Sequence, residues 1–187
     1  MKKGLIIAAA MILAVCLGIG GTLAYLYTQT ADVVNTFTVG DIGITLTETP
    51  NNNGAWTAQM IPGKEYTKDP VVKVLRPETN VDIYLFVKFE ELNDAVKYLN
   101  YTSTLTTANG WTLLETGVWY RVVKATDSPV EWHLLEGDKV TIDSEEVKKD
   151  TFDSITNLPK LVYTAYAIQT EGFTPETAWA KLKPANP

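Results

Sequence analysis

Cysteine occurs once in the 187 residues, at Cys16, and histidine once, at His133. These two shortages remove most catalytic designs. Zinc catalysis draws on about three protein ligands, usually rich in histidine, and keeps one position open. No His-Glu-x-x-His pair occurs, and His133, within Glu131-Trp132-His133, is expected to be a surface or loop residue. A Ser-His-Asp triad could use only that histidine. The adjacent acids Glu90-Glu91 and Glu145-Glu146 do not suit a glycosidase either. Its two carboxylates face each other across about 5–9 Å, whereas neighbours on a strand point to opposite faces. Glycine-rich phosphate loops and Asp-x-Asp-x-Asp-Gly calcium loops are also missing. The expectation is a non-catalytic protein with no metal and no cofactor.

Charge is missing as well, from Gly4 to Ala31. Lys2 and Lys3 precede an apolar run from Leu5 to Tyr27, and the next charge is Asp32. A basic start followed by an apolar block is the layout of a secretory signal. The run is also long enough for a membrane anchor, since about 20 residues span a bilayer. Gly18, Gly20 and Gly21 loosen a helix near its end. Thr22 and Ala24 place small residues at the −3 and −1 positions of a signal peptidase site, and no basic stop-transfer cluster follows. Cleavage is therefore expected after Ala24, with the membrane touched only through the uncleaved signal. Cleavage would leave 163 residues without a thiol. It removes two lysines and no acid, so the net charge moves from −6 to −8. So acidic a chain has no general basic field for nucleic acid. Its charge favours solubility and self-repulsion at low salt. A disulfide-free chain of this length can still bury a sufficient core.

What remains is ordinary in bulk composition, 45% hydrophobic and 20% charged, and dominated by period-two alternation. Phe37 and Val39 share one parity; Ile42, Ile44 and Leu46 take the other. The slip at Gly40 reads as a bulge or tight bend. Pro50-Asn51-Asn52-Asn53-Gly54 and Pro62-Gly63 are turns, with a short strand expected between them from Trp56 to Met60. Val71 to Leu75, bounded by Pro70 and Pro77, is expected to be an edge or short strand. Val81, Ile83, Leu85, Val87 and Phe89 form the cleanest apolar face. With Tyr84 and Phe86 opposite, as well as Asp82 and Lys88, the strand should be central and partly covered on both sides. A short helix is expected within Leu92 to Leu99. Trp111 to Leu114 and Val118 to Lys124 flank a turn and read as a hairpin. Val140 and Ile142 mark a further strand. Ser144 to Asp150 reads as a solvated helical turn, and Leu161 to Gln169 as a buried strand. Thr174-Pro175-Glu176 starts a helix with a capping hydroxyl, a first-turn proline and an acid; Ala178, Trp179 and Leu182 form its apolar face. Trp111, Trp119 and Trp179 are expected in the core. Trp56 and Trp132 lie near turns, where an exposed ring would be the first place to look for a ligand.

These elements predict a mainly β, jelly-roll-like antiparallel β-sandwich with a few short helices, preceded by a signal helix. The expected division is 1–24 signal peptide, 25–34 N-terminal extension and 35–187 one sandwich domain.

Several stretches resemble one family. Gly20-Gly21-Thr22-Leu23-Ala24-Tyr25-Leu26 is similar to the signal end of TasA and camelysin-like proteins. Asn35-Thr36-Phe37-Thr38-Val39-Gly40-Asp41-Ile42 resembles their first mature strand. Pro62-Gly63 with Lys68-Asp69-Pro70 resembles a turn and second strand entry. Ala165-Tyr166-Ala167-Ile168-Gln169, Gly172-Phe173 and Ala178-Trp179 resemble the terminal strand and helix. The resemblance runs from end to end and is looser from Leu92 to Asp150. It implies export through a signal peptidase of the SipW type, a jelly roll, and a place in the extracellular matrix or on the surface of a Gram-positive-type cell. For fibre-forming members it also implies donor-strand exchange, in which the segment freed by cleavage pairs into a groove of the next subunit. Such a head-to-tail contact does not close and grows a filament. The corresponding segment here runs from Tyr25 to Val34, with Tyr25, Leu26, Tyr27, Val33 and Val34 as its apolar residues.

The leading expectation is thus a secreted structural subunit of matrix or biofilm fibres, partnered by itself or by related matrix subunits. A monomeric secreted or cell-surface binding module, using the middle region near Trp132, is the alternative. A camelysin-like metalloendopeptidase is a distant third. Lys183-Pro184-Ala185-Asn186-Pro187 carries neither a hydrophobic tail nor a sortase signal, so surface retention is expected to come from assembly or partners.

Overall fold

Two ten-residue strands organise the structure, a computed structural model that describes residues 27–29, 37–39, 42–48, 60–75, 81–127, 130–148, 155 and 157–183. They are β6 (Ile83–Leu92) and β12 (Lys160–Gln169), and they pair antiparallel along their whole length, from Lys160↔Leu92 to Gln169↔Ile83. β1 (Tyr27–Gln29) joins the free side of β12. On the other side of β6 follow β9 (Val118–Val123) and β8 (Thr112–Glu115). The sheet order is β1-β12-β6-β9-β8. A second antiparallel sheet runs β10 (Glu131–His133), β5 (Val71–Leu75), β3 (Ile42–Thr47), β2 (Phe37–Val39). A third, small sheet joins β4 (Glu65–Thr67), β11 (Lys139–Ile142) and β7 (Leu99–Asn100). The fold is a mainly β antiparallel sandwich with few short helices, as the alternation predicts. The expected signal helix lies outside the described residues.

Alternation decides what each face meets. Ile83, Leu85 and Val87 point inward with Tyr163, Ala165 and Ala167 of β12. They meet Ile42 and Ile44 of β3 and Val72 and Val74 of β5, and this cluster is the main core. The opposite face carries Phe86, Tyr166 and Ile168, covered by α2 (Pro175–Leu182) through Ala178, Trp179 and Leu182. The first turn of α2 is held by a capping box, in which the Thr177 N–H donates to Thr174 Oγ1 and the Thr174 N–H donates to Thr177 Oγ1. Trp179 lies 5.5 Å from Phe86 and edge-on to Tyr166 at 5.2 Å, and its Nε1 donates to Glu115 at 2.6 Å. β6 as far as Val87, and most of β12, are thus covered on both faces.

Some expectations need correction. The bulge or tight bend expected at Gly40 lies outside the described residues; on either side of it β2 and β3 pair antiparallel, with Val39 against Ile42. Val71–Leu75 is the short strand of the two alternatives and not an edge: β5 lies between β10 and β3. Pro70 flanks the strand rather than interrupting it, and its carbonyl accepts from the Leu134 N–H at 2.9 Å. The helix within Leu92 to Leu99 is α1 (Ala95–Tyr98), and Leu99 already belongs to β7. Within the stretch expected to be solvated from Ser144, Val147 is fully buried with Met60 and Ile142. The Asp143 carboxylate accepts the N–H groups of Glu145 and Glu146 and turns the chain so that Val147 faces inward. The strand expected at Trp56 to Met60 lies outside the described residues except for Met60.

Candidate functional site

Two edges of the sandwich carry the features that bear on function. On the first, β1 pairs with β12 through Tyr27↔Ile168, Thr28↔Ala167 and Gln29↔Tyr166. β1 also lies against β2 and β3 of the facing sheet. Of the residues expected to act in export or assembly, only Tyr27 is described. Thr22, Ala24, Tyr25, Leu26, Val33 and Val34 lie outside the described residues. The structure places Tyr27 in a strand of its own chain's sheet. Three residue pairs hold it there, against ten between β12 and β6.

The opposite edge is built from side chains. Trp119, Arg121 and Val123 alternate on the inward parity of β9, so a cation stands where the pattern calls for an apolar residue. Its guanidinium is wedged between two tryptophans. Cζ lies 5.2 Å from the Trp111 ring centre and 4.3 Å from that of Trp132, and the two rings meet edge to face at 6.2 Å and 76°. Trp111 precedes β8, whereas Trp132 belongs to β10 of the other sheet, so the stack joins the two layers. Cation–π contacts of this kind contribute about 0.5–2 kcal/mol each, the larger values when desolvated.

The guanidinium is not satisfied. Nε and Nη1 are both buried and neither has a hydrogen-bond partner. A buried donor left unmade costs about 1–3 kcal/mol. Burial lowers the Arg121 pKa from its ordinary value, and the charge of Asp127 opposes that shift. Gly110, at φ +78°, faces the third nitrogen, Nη2. A Cβ there would stand 3.3 Å from it.

A cavity of about 350 Å³ opens beside the stack, lined by Thr104, Asn109, Trp111, Arg121, Glu131, Trp132 and His133. The loop carrying Thr104 and Asn109 is tied to the end of β10. Ser103 bridges to Leu135, the Thr104 N–H donates to the Leu134 carbonyl, and Thr104 Oγ1 donates to the His133 carbonyl. Asn109 Nδ2 donates to the Thr104 carbonyl at 3.0 Å. Glu131 forms an exposed pair with Lys73 at 3.2 Å. His133 Nδ1 is 2.9 Å from Asp138 Oδ1.

His133 is exposed, as its sequence context predicts, although it lies in a strand rather than a loop. Trp111 and Trp179 are buried and Trp119 is half-buried against the core. Trp132 is half-buried at the cavity, and Trp56 is outside the described residues. Glu91 hydrogen-bonds the Tyr101 hydroxyl while Glu90 pairs with Lys88 at 2.8 Å, so these neighbours serve separate partners. Among the described residues no group of three or more His, Cys, Asp or Glu side chains comes together, and no helix is long and apolar enough to cross a membrane. Sequence reasoning missed Arg121. Its only signal was a charge on the inward parity of an otherwise apolar strand face.

Compared with protein-family models, curated proteins and solved structures, the chain finds no match.

Proposed function

We propose that the chain is a secreted, non-catalytic structural subunit of extracellular fibres, of the TasA and camelysin kind, which assembles by exchanging its N-terminal strand between copies. The observation that carries this reading is β1, a three-residue strand added antiparallel to the outer edge of β12. Edge addition draws its affinity from main-chain hydrogen bonds, which any chain in register can supply. The same three pairs form whether the strand comes from its own chain or from the next. Each hydrogen bond adds about 0.5–1.5 kcal/mol net, so little energy separates a strand folded back from one donated onward. Donation from copy to copy is head-to-tail and does not close, which gives a filament. The apolar residues at Tyr25, Leu26, Val33 and Val34 flank the paired stretch and would fill the neighbour's groove.

Residues 25–187, incubated near neutral pH and followed by light scattering and negative-stain microscopy, test this. Filaments are expected, and they should vanish when residues 25–34 are deleted. Undiminished filaments from the deleted chain would remove the mechanism. A persistent monomer from residues 25–187 would instead favour the second reading, a secreted or cell-surface binding module, which the partly buried Trp132 at the cavity supports.

A further inference from the structure

The geometry points to the cavity between β9 and β10 as a binding site for one hexuronate unit, an acidic sugar whose carboxylate pairs with Arg121. A guanidinium has two forks, and each joins Nη2 to one of its other nitrogens. Here both of those other nitrogens, Nε and Nη1, lack a partner. Both nitrogens are closed to solvent as the rings stand, so a planar carboxylate reaches a fork, in the two parallel bonds arginine favours, when the wall at Trp132 gives way. Trp111, buried in the core, holds the guanidinium from the inner side before any ligand arrives. Gly110 leaves Nη2 without a side chain over it.

The remaining lining selects the body that carries the carboxylate. Thr104 Oγ1 and Asn109 Nδ2 already donate to backbone carbonyls. Their oxygens are left as acceptors, and Glu131 adds a carboxylate. These are partners for hydroxyl donors, which a sugar has and an aromatic acid lacks. Trp132, partly buried on a three-residue strand, is the wall past which a ring enters, and its apolar surface suits the C–H face of a sugar. A cavity of about 350 Å³ sits at the small end of the range for ligand sites, which suits a single ring. Charge decides against phosphate. Glu131 lines the cavity, Asp138 is bonded to His133 in its wall, and Asp127 acts on Arg121. A dianion would stand beside Glu131 with Arg121 as the one arginine or lysine in the lining, whereas a carboxylate brings a single charge.

The site lies across the sandwich from β1, so the inference is independent of fibre formation and survives or fails separately. Arginine occurs only at Arg76 and Arg121, so a ¹⁵N-labelled chain shows two Nε–H signals, and Arg76→Lys assigns them. Glucuronate is titrated against the Arg121 signal and tryptophan fluorescence, beside glucose, benzoate and inorganic phosphate. The expected result is a saturable shift of the Arg121 signal with glucuronate. The other three probes should bind at least about tenfold more weakly, since each lacks either the carboxylate or the hydroxyls. Arg121→Lys keeps the charge without the fork and should weaken glucuronate by about tenfold or more. The exposed Glu131→Gln, which leaves the stack intact, should weaken it a few-fold. The inference is overturned if glucuronate leaves the Arg121 signal unmoved at tens of millimolar. It is equally overturned if benzoate or phosphate binds as tightly, or if a folded Arg121→Lys chain binds glucuronate unchanged.

Discussion

The two edges of the sandwich are closed by different kinds of interaction. At the β1 edge the chain adds a short strand, and main-chain groups do the work. At the β8–β10 edge the sheets are joined by Trp111, Arg121 and Trp132. Main-chain pairing is tolerant of sequence and of which copy supplies the strand. A stack of two rings and a cation tolerates neither. The first edge therefore suits exchange between identical subunits, and the second suits recognition of one ligand shape. The same contrast says where stability should reside: in the stack, with the strand contributing little.

The sharpest way to break this contrast is Trp111→Ala. The ring is buried and supports Arg121, so its removal should cost about 3–5 kcal/mol in denaturant unfolding. A loss below about 1 kcal/mol would show that the stack does not hold the edge. Next comes Gly117→Ala in the turn between β8 and β9. At φ +75°, with a Cβ placed 2.7 Å from the Phe89 carbonyl oxygen, it should cost on the order of 2 kcal/mol. A neutral substitution would mean that the hairpin moves without penalty.

Deleting residues 25–34 should cost less than Trp111→Ala, about 1–3 kcal/mol in the monomer for three residue pairs, while abolishing filaments. A collapse of the fold on deletion would place the two edges on an equal footing. Lys73→Met should change stability by less than about 1 kcal/mol, because its pair with Glu131 is exposed.

A control away from both edges is Asp143. Its carboxylate accepts hydrogen bonds from the backbone of Glu146, the side chain of Asn100 and the backbone of Glu145, which hold its pKa below the ordinary 3.8. A lowered folded pKa adds stability above the unfolded value and loses it as pH falls through the folded one. Asp143→Asn should therefore flatten the acid limb of the stability profile below about pH 4. An unchanged limb would show that the turn does not contribute to it.

Much of this architecture was legible in the sequence where one strand reports on itself. Ile83, Leu85 and Val87 against Tyr84 and Phe86 announce a strand partly covered on both faces, and the Thr174 cap with Trp179 announces a helix with one apolar face. Alternation gives a face but not a neighbour. Nothing local in Val71–Leu75 says that β10 will flank it, and its prolines suggested the reverse. The cavity was harder still, because its residues come from three separate stretches, and only folding brings Arg121 between Trp111 and Trp132. Trp132 was legible as a ring worth inspecting; the cation stacked on it was not.

The central claim is that the strand held at β12 is the one passed between copies. Thr28 and Ala167 face each other across that pairing, and Cys16, the one native cysteine, is absent from residues 25–187. Thr28→Cys with Ala167→Cys therefore creates a lock that can be opened by reduction. Oxidised as a monomer, with the disulfide confirmed within one chain, the double variant should stay monomeric by light scattering and form filaments once reduced. Filaments that grow equally well with the lock closed would contradict the account.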